Sequence, residues 1–289
     1  MSVSQRISYL LRQVMNAGQS KVCPFCKQKE FSVIDRKYIF TTLIKCKNCG
    51  LSHRHPKDDE QWLRKFYQSE YSIDTHMMTK IPSDEEIGKL MKSNFPNLRS
   101  YDKYLDALFK KPLKIIDYGC SWGYNVYKLV QSGYQAVGYE LSVPRAQLGK
   151  SKLNIQIYSD THQLPGENDV IMSSHVIEHL SDINELVTLS KKLLKESGVF
   201  MAFCPNGNQE YRNREPEVWH VNWGAVHPNY LDVNFAKYMF RENPYLILTG
   251  DWDFDPGDIL KWDGRSQIVG PKADGKELFI ISKPNIKIN

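Results

Sequence analysis

Four of the six cysteines form two Cys-x2-Cys pairs, a spacing that is typical of metal ligands. Cys23 and Cys26 lie in "CPFC", Cys46 and Cys49 lie in "CKNCG", and nineteen residues separate the pairs. Four thiolates in this arrangement can surround one tetrahedral zinc ion. The residues between the pairs alternate and are rich in β-branched types, which predicts a strand and its return, and therefore a zinc ribbon. Because four cysteines fill every ligand position, we expect this zinc to support folding and not catalysis.

A second group of residues with chemical potential is the segment "HVIEH". It places His175, Glu178 and His179 at positions i, i+3 and i+4, on one face of a helical turn, and His227 follows in "WGAVHPNYL". A neutral His175 or His179 could act as a general base beside Glu178. Alternatively, His175, Glu178, His179 and His227 could bind a divalent ion. A third interpretation is that the histidines only shape a pocket.

The third candidate is the glycine-containing turn in "IIDYGCSWGYNV", residues 115–126, which follows an apolar strand and precedes a predicted helix. Gly119 and Gly123 would let a ligand approach the main chain closely at the end of that strand. About twenty residues later, Glu140 ends the next predicted strand, where a carboxylate can accept both hydroxyls of a ribose. These residues predict a cofactor that contains a nucleoside.

The elements that would position these residues alternate between strands and helices from residue 113 onward. Such alternation predicts an α/β fold whose parallel sheet is covered by helices on both faces. The segments "YLILTGDWD" and "ELFIISKP" would complete the sheet with an antiparallel edge. The polar stretch "DPGDILKWDGRSQIVGPKADG" between them is predicted to be a mobile or partner-contacting loop.

Four regions follow from this pattern: an amphipathic helix in 1–20, the ribbon in 21–56, a helical connector in 57–112 and the α/β domain in 113–289. Residues 205–230 would form an insertion over the acceptor site, rich in Asn, Arg, Trp and Tyr. The connector contains Ser83 and Glu86 at the spacing of a helix capping box. We expect the helix in 1–20 to pack on the rest of the protein through its apolar stripe, which comprises Val3, Ile7, Leu10, Leu11, Val14 and Met15.

Composition excludes several classes of protein. The net charge of +5 arises from basic and acidic residues distributed along all 289 positions, so no basic arm for nucleic acid stands out. No apolar run approaches the ~18 residues that a membrane span requires. Arg6 and Arg12 interrupt the first twenty residues, unlike a signal peptide. We expect a cytoplasmic protein, with Cys120 and Cys204 as buried small residues.

The motif "DYGCSWG" resembles the first motif of class I S-adenosylmethionine-dependent methyltransferases, with Ser121 where a glycine is commoner. "YSDTHQLP", "DVIMSSHVIEHLSD" and "LKESGVFMAFCPN" resemble later motifs of the same family, and the resemblance covers about residues 113–283. It implies a Rossmann-like, seven-stranded methyltransferase sheet. The ribbon followed by "FYQSEYS" also resembles the zinc-ribbon branch of the methyltransferase type 11/12/23 group.

The resemblance implies specific contacts with S-adenosylmethionine. Asp117 would orient the amino group of the cofactor, Glu140 would bind the ribose, and Asp160 would contact the adenine edge. Ser174 and His175 would lie near the sulfonium. The full implied set of cofactor-binding residues is Asp117, Gly119, Gly123, Glu140, Leu141, Asp160, Thr161, Ser174 and His175.

The spacing in "HVIEH" also resembles that of small-RNA 2′-O-methyltransferases and ubiquinone O-methyltransferases, which carry an acidic residue where this chain has His175. The resemblance implies methylation of a hydroxyl or amine on a sugar, nucleotide-sugar or similar polar metabolite. Two other functions stay open: an RNA methyltransferase and a non-catalytic cofactor-binding subunit. RNA would be held by the basic residues of the ribbon, Lys21, Lys27, Lys29, Lys37, Lys45 and Lys47.

Overall fold

The computed structural model describes residues 3–58, 60–70, 80–92, 99–270 and 272–288. In these ranges the α-helices are α1 Val3–Met15, α2 Glu60–Lys65, α3 Asp84–Lys92, α4 Asp102–Leu108, α5 Tyr124–Gln131, α6 Val143–Leu153, α7 Ile183–Leu193, α8 Gln209–Arg214, α9 Pro216–Asn222, α10 Val233–Met239 and α11 Pro256–Leu260. The strands are β1 Phe31–Lys37, β2 Thr41–Cys46, β3 Ser52–His55, β4 Lys114–Tyr118, β5 Gln135–Tyr139, β6 Ile157–Tyr158, β7 Asn168–Ser174, β8 Leu194–Pro205, β9 Asn229–Tyr230, β10 Tyr245–Gly250, β11 Gln267–Val269 and β12 Glu277–Ser282.

The larger sheet has the strand order β11-β10-β12-β8-β7-β4-β5-β6. The α/β, Rossmann-like methyltransferase fold is confirmed, but the predicted strand count and edge were wrong. The sheet has eight strands, and the antiparallel strand β12 lies between β8 and β10, inside the sheet. The extra strand, β11, pairs with β10 and comes from the polar stretch that was predicted to be a loop. Its three residues are too few to show a periodic pattern, so pairing with β10 defines it.

The central strands of this sheet are buried on both faces, and this packing makes the sheet a rigid support for the strand ends. Every residue of β12 is buried, and so are Gly198–Pro205 of β8. Phe203 and Phe279 stack with ring centroids 4.0 Å apart in the core on one face. Burial of each such side chain stabilises the fold by roughly 1.5–3 kcal/mol. The rigid sheet therefore holds the carboxyl ends of β4, β5 and β7 side by side, where ligands bind in folds of this kind.

The ribbon is an antiparallel sheet of β1, β2 and β3, as predicted, but it gains a fourth strand from the insertion. Ser52 pairs with Tyr230 and His53 pairs with Asn229, so β9 extends the ribbon sheet. A two-residue strand leaves no signal in the sequence. The consequence is that the ribbon and the insertion at 205–230 share one sheet.

Helix α1 forms as predicted, but the expected packing of its apolar stripe was wrong. The side chains of Ile7, Leu11, Val14 and Met15 are exposed. The helix instead contacts the protein through the buried Tyr9 and Gln13 and the partly buried Arg12. The Arg12 guanidinium lies 3.4 Å from the ring centroid of Trp62, and the buried carboxylate of Asp58 pairs with Arg12 at 3.2 Å. An unpaired buried carboxylate at Asp58 would cost more free energy than the exposure of these apolar side chains, which explains the orientation of α1. None of the helices in the described ranges is both long and apolar enough to cross a membrane.

The connector contains α2, α3 and α4 together with a π-helical turn at Phe66–Glu70. The capping box is confirmed, because the Ser83 amide donates to Glu86 Oε2 at 2.9 Å and the Glu86 amide donates to Ser83 Oγ at 3.3 Å. The last two residues of "FYQSEYS" lie outside the described residues. Its first five form the π-helical turn, a geometry that is frequent at functional sites.

Candidate active site

The turn after β4 adopts an unusual backbone conformation. Gly119 and Gly123 have φ angles of +84° and +83°. A Cβ atom on Gly119 would lie 2.3 Å from Cγ2 of Val176, and one on Gly123 would lie 2.4 Å from Cδ1 of Ile155. Both positions therefore require glycine. At Gly123 the missing side chain makes room for packing between α5 and β6, so ligand approach is not needed to explain that glycine.

Ser121, between the two glycines, has a φ of +54°, in the left-handed region that favours glycine. Its amide donates to Glu140 Oε2 at 2.9 Å. Ser121 therefore adopts the backbone conformation of the glycine that is commoner at this position in the family, at some cost in backbone strain.

Glu140 connects the turns after β4 and β5. Its Oε1 accepts the Ser142 amide at 2.8 Å, and its other oxygen accepts the Ser121 amide. Burial raises the pKa of Glu140, while the Ser142 amide and Arg145 act in the opposite direction. Each carboxylate oxygen has further lone pairs, which fits the predicted contact with ribose hydroxyls.

Asp117 lies at the end of β4 and is buried, and its Oδ2 has no hydrogen-bond partner among the described residues. Burial and the neighbouring charge of Glu140 raise the pKa of Asp117 to about 7. A buried, unpartnered carboxylate fits a cationic group such as the amino group of S-adenosylmethionine.

The remaining predicted cofactor contacts surround the same edge of the sheet. The carbonyl of Leu141 accepts a hydrogen bond from Gln68 Nε2 at 2.6 Å. Asp160 is exposed and caps the 3-10 helix that starts at Thr161, where its carboxylate accepts the His162 amide. Ser174, at the end of β7, accepts a hydrogen bond from the Tyr101 hydroxyl at 2.8 Å.

A second group of side chains comprises the buried Glu178 and the partly buried His179 and His227, whose ligand atoms all lie within 4.8 Å of one another. His179 Nδ1 donates to the Val226 carbonyl at 2.7 Å. His227 Nδ1 donates to the Asn222 carbonyl at 2.6 Å. These bonds fix both tautomers and put the lone pair of each ring on Nε2. Burial, together with His227, lowers the pKa of His179 to about 4, so this ring is neutral.

Glu178 is fully buried, and neither carboxylate oxygen has a hydrogen-bond partner among the described residues. Its nearest charged neighbour is His175, whose Nδ1 lies 3.4 Å from Glu178 Oε1. Burial alone would raise the pKa of Glu178, but His175 and His179 outweigh it and lower the pKa to about 2. An ionised carboxylate with unused lone pairs is what a cation or an acidic hydroxyl would occupy.

The ion pairs of His175 do not fit its predicted roles as general base and metal ligand. It has a φ of +54°, and its Nε2 lies 2.8 Å from Oε1 of the buried Glu277. Burial alone would lower the pKa of His175, but Glu178 and Glu277 together raise it to about 9. A charged imidazolium between two carboxylates cannot accept a proton as a general base. It also does not join the mutually close ligand set, so the predicted four-residue metal site reduces to three residues.

Several residues at the site were not predicted. Tyr67 and Gln68, on the π-helical turn, contact His179 and the backbone of the Glu140 turn respectively. Glu277 begins β12 and pairs with Arg99 as well as with His175. The available signal was weak: Glu277 is a single charged residue at the start of an otherwise apolar strand.

The four paired cysteines converge at the base of the ribbon. The Cys23 and Cys49 sulfurs are 3.5 Å apart, the Cys26 and Cys46 sulfurs are 3.4 Å apart, and all four lie within 4.8 Å of one another. Zn–S bonds of ~2.3 Å would set tetrahedral edges of about 3.8 Å. The cysteine cluster therefore fits a zinc ion with small adjustments.

Comparisons with known proteins identify the family. A model of the methyltransferase domain family matches residues 61–242. A Pelagibacter ubique (strain HTCC1062) protein named ubiquinone biosynthesis O-methyltransferase is 30% identical over 195 residues, covering 64% of this chain and 71% of that protein. A protein of the same name from Proteus mirabilis (strain HI4320) is 22% identical over 242 residues, covering 75% and 91%.

Among solved structures, geranyl diphosphate C-methyltransferase from Streptomyces coelicolor A3(2), in complex with Mg²⁺, geranyl diphosphate and S-adenosyl-L-homocysteine, aligns with a TM-score of 0.47. It is 17% identical, and the alignment covers 77% of this chain and 96% of that structure. From the family match, together with the glycine turn and Glu140, we conclude that this chain belongs to the methyltransferase domain family and is an S-adenosylmethionine-dependent methyltransferase.

Proposed function

We propose that the protein transfers the methyl group of S-adenosylmethionine to a hydroxyl of a small acceptor. The observation that carries this proposal is the cluster of Glu178, His179 and His227 after the carboxyl end of β7. The relatives named O-methyltransferase support the same reaction class.

The chemistry of the acceptor explains why this cluster favours a hydroxyl. A neutral amine already presents a lone pair to the methyl group, whereas a hydroxyl becomes a good nucleophile only when it loses its proton. Glu178 is ionised and has unused lone pairs, and both neighbouring imidazoles present lone pairs at Nε2. The cluster can therefore stabilise the positive charge, proton or metal ion, that accompanies hydroxyl activation.

A divalent ion fits this ligand set better than a general base does. Histidines that bind metals typically donate their second ring nitrogen to a carbonyl or carboxylate, as His179 and His227 do. With a pKa of about 4, His179 would be a weak base near neutral pH. Glu178, His179 and His227 would hold the ion. When bound, it would acidify and orient the hydroxyl.

His175, predicted as base or ligand, has a positioning role in this proposal. Its imidazolium lies between Glu178 and Glu277 and keeps the Glu178 carboxylate in place. Asp117, Gly119, Glu140 and Asp160 would bind the cofactor at the carboxyl ends of β4, β5 and β6.

The acceptor class follows from the same cluster. Two adjacent hydroxyls suit a site made of one carboxylate and two imidazoles, and both sugars and catechols present them. Two of the ribbon lysines that were expected to hold RNA form ion pairs within the protein. Lys27 pairs with Asp182 at 3.0 Å and Lys45 pairs with Asp232 at 2.5 Å, which weakens the RNA alternative. These two lysines contact the larger domain and help to hold the ribbon against it.

A transfer assay tests the proposal. Purified protein would be incubated with methyl-labelled S-adenosylmethionine and catechols, sugars, nucleotide-sugars, amines or RNA, with a chelator and then with added Mg²⁺ or Mn²⁺. We expect product from an acceptor with adjacent hydroxyls, loss of activity with the chelator and recovery with the ion. Transfer only to amines or RNA would contradict the proposal, and full activity in the chelator would contradict the ion site.

We propose separately that Cys23, Cys26, Cys46 and Cys49 bind one structural zinc ion. Elemental analysis should find one zinc per chain. Cys46→Ser should lose zinc and lower the melting temperature, whereas the control Cys204→Ala should keep zinc, because the buried Cys204 is not one of the four mutually close thiols. A zinc-free wild-type protein with four titratable ribbon thiols would overturn this assignment.

A further inference from the structure

We propose that the ribbon positions His227, and that Lys37 and Arg54 are positioning residues for methyl transfer. The inference rests on the proposed function, since it assigns His227 to the acceptor site. It gives the ribbon a role in the reaction itself: β1 and β3 hold the loop 221–229 that carries this histidine.

The first support is the set of ribbon side chains that bind carbonyls of this loop. Lys37 Nζ donates to the carbonyls of Val221, at 3.2 Å, and Trp223. Arg54 Nη1 donates to the Gly224 carbonyl at 3.3 Å. Arg54 is 1% exposed, and its buried guanidinium pairs with Asp58 while it also reaches this loop of the other domain. Burying such a donor is costly unless its partners are fixed, and this makes the contact rigid.

The ribbon also holds both ends of the loop. Before His227, Asp35 accepts hydrogen bonds from Trp223 Nε1 at 2.8 Å and from His220 Nδ1 at 2.7 Å. After His227, the Arg54 amide donates to the Pro228 carbonyl at 2.7 Å, and β9 pairs with β3. His227 thus lies between two attachment points on one small sheet.

Carbonyl groups of the loop in turn bind both histidines of the cluster. The Asn222 carbonyl accepts His227 Nδ1, and the Val226 carbonyl accepts His179 Nδ1. The Gly224 amide donates to the His227 carbonyl at 2.9 Å and closes the loop. Gly224 has a φ of +142°, a conformation that only glycine adopts readily, so the loop shape is specific. A shift of the loop would misorient both imidazoles together.

The test compares Lys37→Met with Lys29→Met, which changes an exposed lysine of the same ribbon. We expect Lys37→Met to lower kcat by about tenfold to a hundredfold, since a displacement of ~1 Å at a reacting group can cost 10²-fold. The Kd for S-adenosylhomocysteine and the zinc content should stay within twofold of wild type. Lys37→Arg should restore much of kcat, because it keeps a donor near the two carbonyls. Lys29→Met should behave as wild type.

A second readout does not depend on activity. In ¹⁵N-histidine NMR spectra, Lys37→Met should shift the ring signals of His227 and His179 and leave those of the exposed His162 unchanged. Unshifted His227 and His179 signals would overturn the inference, as would a kcat equal to that of Lys29→Met when His227→Asn abolishes turnover. If wild type methylates no hydroxyl acceptor, the proposed function fails, and the NMR comparison still decides whether the ribbon positions His227.

Discussion

The two halves of the active site differ in how the chain assembles them. The cofactor side is nearly continuous in sequence: Asp117, the glycine turn and Glu140 lie within 24 residues, on two adjacent parallel strands. The proposed acceptor side brings together Tyr67, Glu178, His227 and Glu277, which come from four distant segments.

This difference has a physical origin. A turn after a strand has few permitted conformations, so residue types at fixed spacing report its shape. A cluster formed by tertiary packing depends on which loops lie over the sheet, and no local pattern encodes that. The sequence therefore predicts the residues of the cofactor side, whereas the residues of the proposed acceptor side can be recognised only in the folded structure.

The largest effect is expected on the acceptor side. Glu178→Gln keeps the size of the side chain but removes the charge, so it should lower kcat about 10³-fold, within the range of general acid–base and metal-assisted steps. The affinity for S-adenosylhomocysteine should change less than threefold. Steady-state transfer rates and calorimetric titration measure the two quantities. Glu185→Gln, an exposed change in α7, is the matched control. Comparable kcat values in the two variants would show that Glu178 is only structural.

The second prediction concerns Asp117, on the cofactor side, and the dependence of protein stability on pH. The pKa of Asp117 is about 7 in the folded protein and about 3.9 when unfolded, so ionisation of this group opposes folding. Its cost is absent below pH ~4, grows as pH rises and is complete above pH ~7, reaching at most about 4 kcal/mol. Without cofactor, Asp117→Asn should therefore be more stable than wild type at pH 8 and equal to it near pH 4.

Urea unfolding between pH 4 and 9 measures this difference. Asp263→Asn, at an exposed carboxylate, serves as the control. At pH 8 the Asp117 variant should also bind S-adenosylhomocysteine more weakly, because it lacks the charge that would pair with the amino group. A variant that is less stable than wild type at pH 8 would contradict the burial argument.

The sequence predicted the convergence of Cys23, Cys26, Cys46 and Cys49, the parallel strands around the glycine turn, and the close spacing of Glu178 and His179. It did not predict that Glu277 converts His175 into an ion-paired cation, because Glu277 lies 102 residues away and meets His175 only through the pairing of β8 with β12. It also misjudged α1, since the apolar stripe gave no information on the buried Asp58 that attracts the opposite face. Long-range charge pairing is the common cause of these failures.

A smaller effect is expected for Glu140→Ala. The carboxylate would accept the ribose hydroxyls while it holds the Ser121 and Ser142 amides, so its removal should weaken S-adenosylhomocysteine binding by roughly 10–30-fold, the loss of about one charged hydrogen-bond pair. Because the acceptor cluster is separate, kcat at saturating cofactor should fall less than fivefold. Calorimetry with Glu167→Ala, an exposed loop residue, provides the control. Unchanged affinity would remove Glu140 from the cofactor site.

The smallest effect is expected where this chain departs from the family pattern. Ser121 has a left-handed backbone that costs a non-glycine residue about 1–2 kcal/mol, while glycine loses about 0.5–1 kcal/mol more conformational entropy on folding. Ser121→Gly should therefore raise the free energy of unfolding by no more than about 1 kcal/mol. Since the contact with Glu140 uses the backbone amide, cofactor affinity should stay within twofold of wild type. Ser151→Gly, in the last turn of α6, should instead destabilise the protein. A marked loss of affinity in Ser121→Gly would mean that the serine hydroxyl itself takes part in binding, and that the departure is functional.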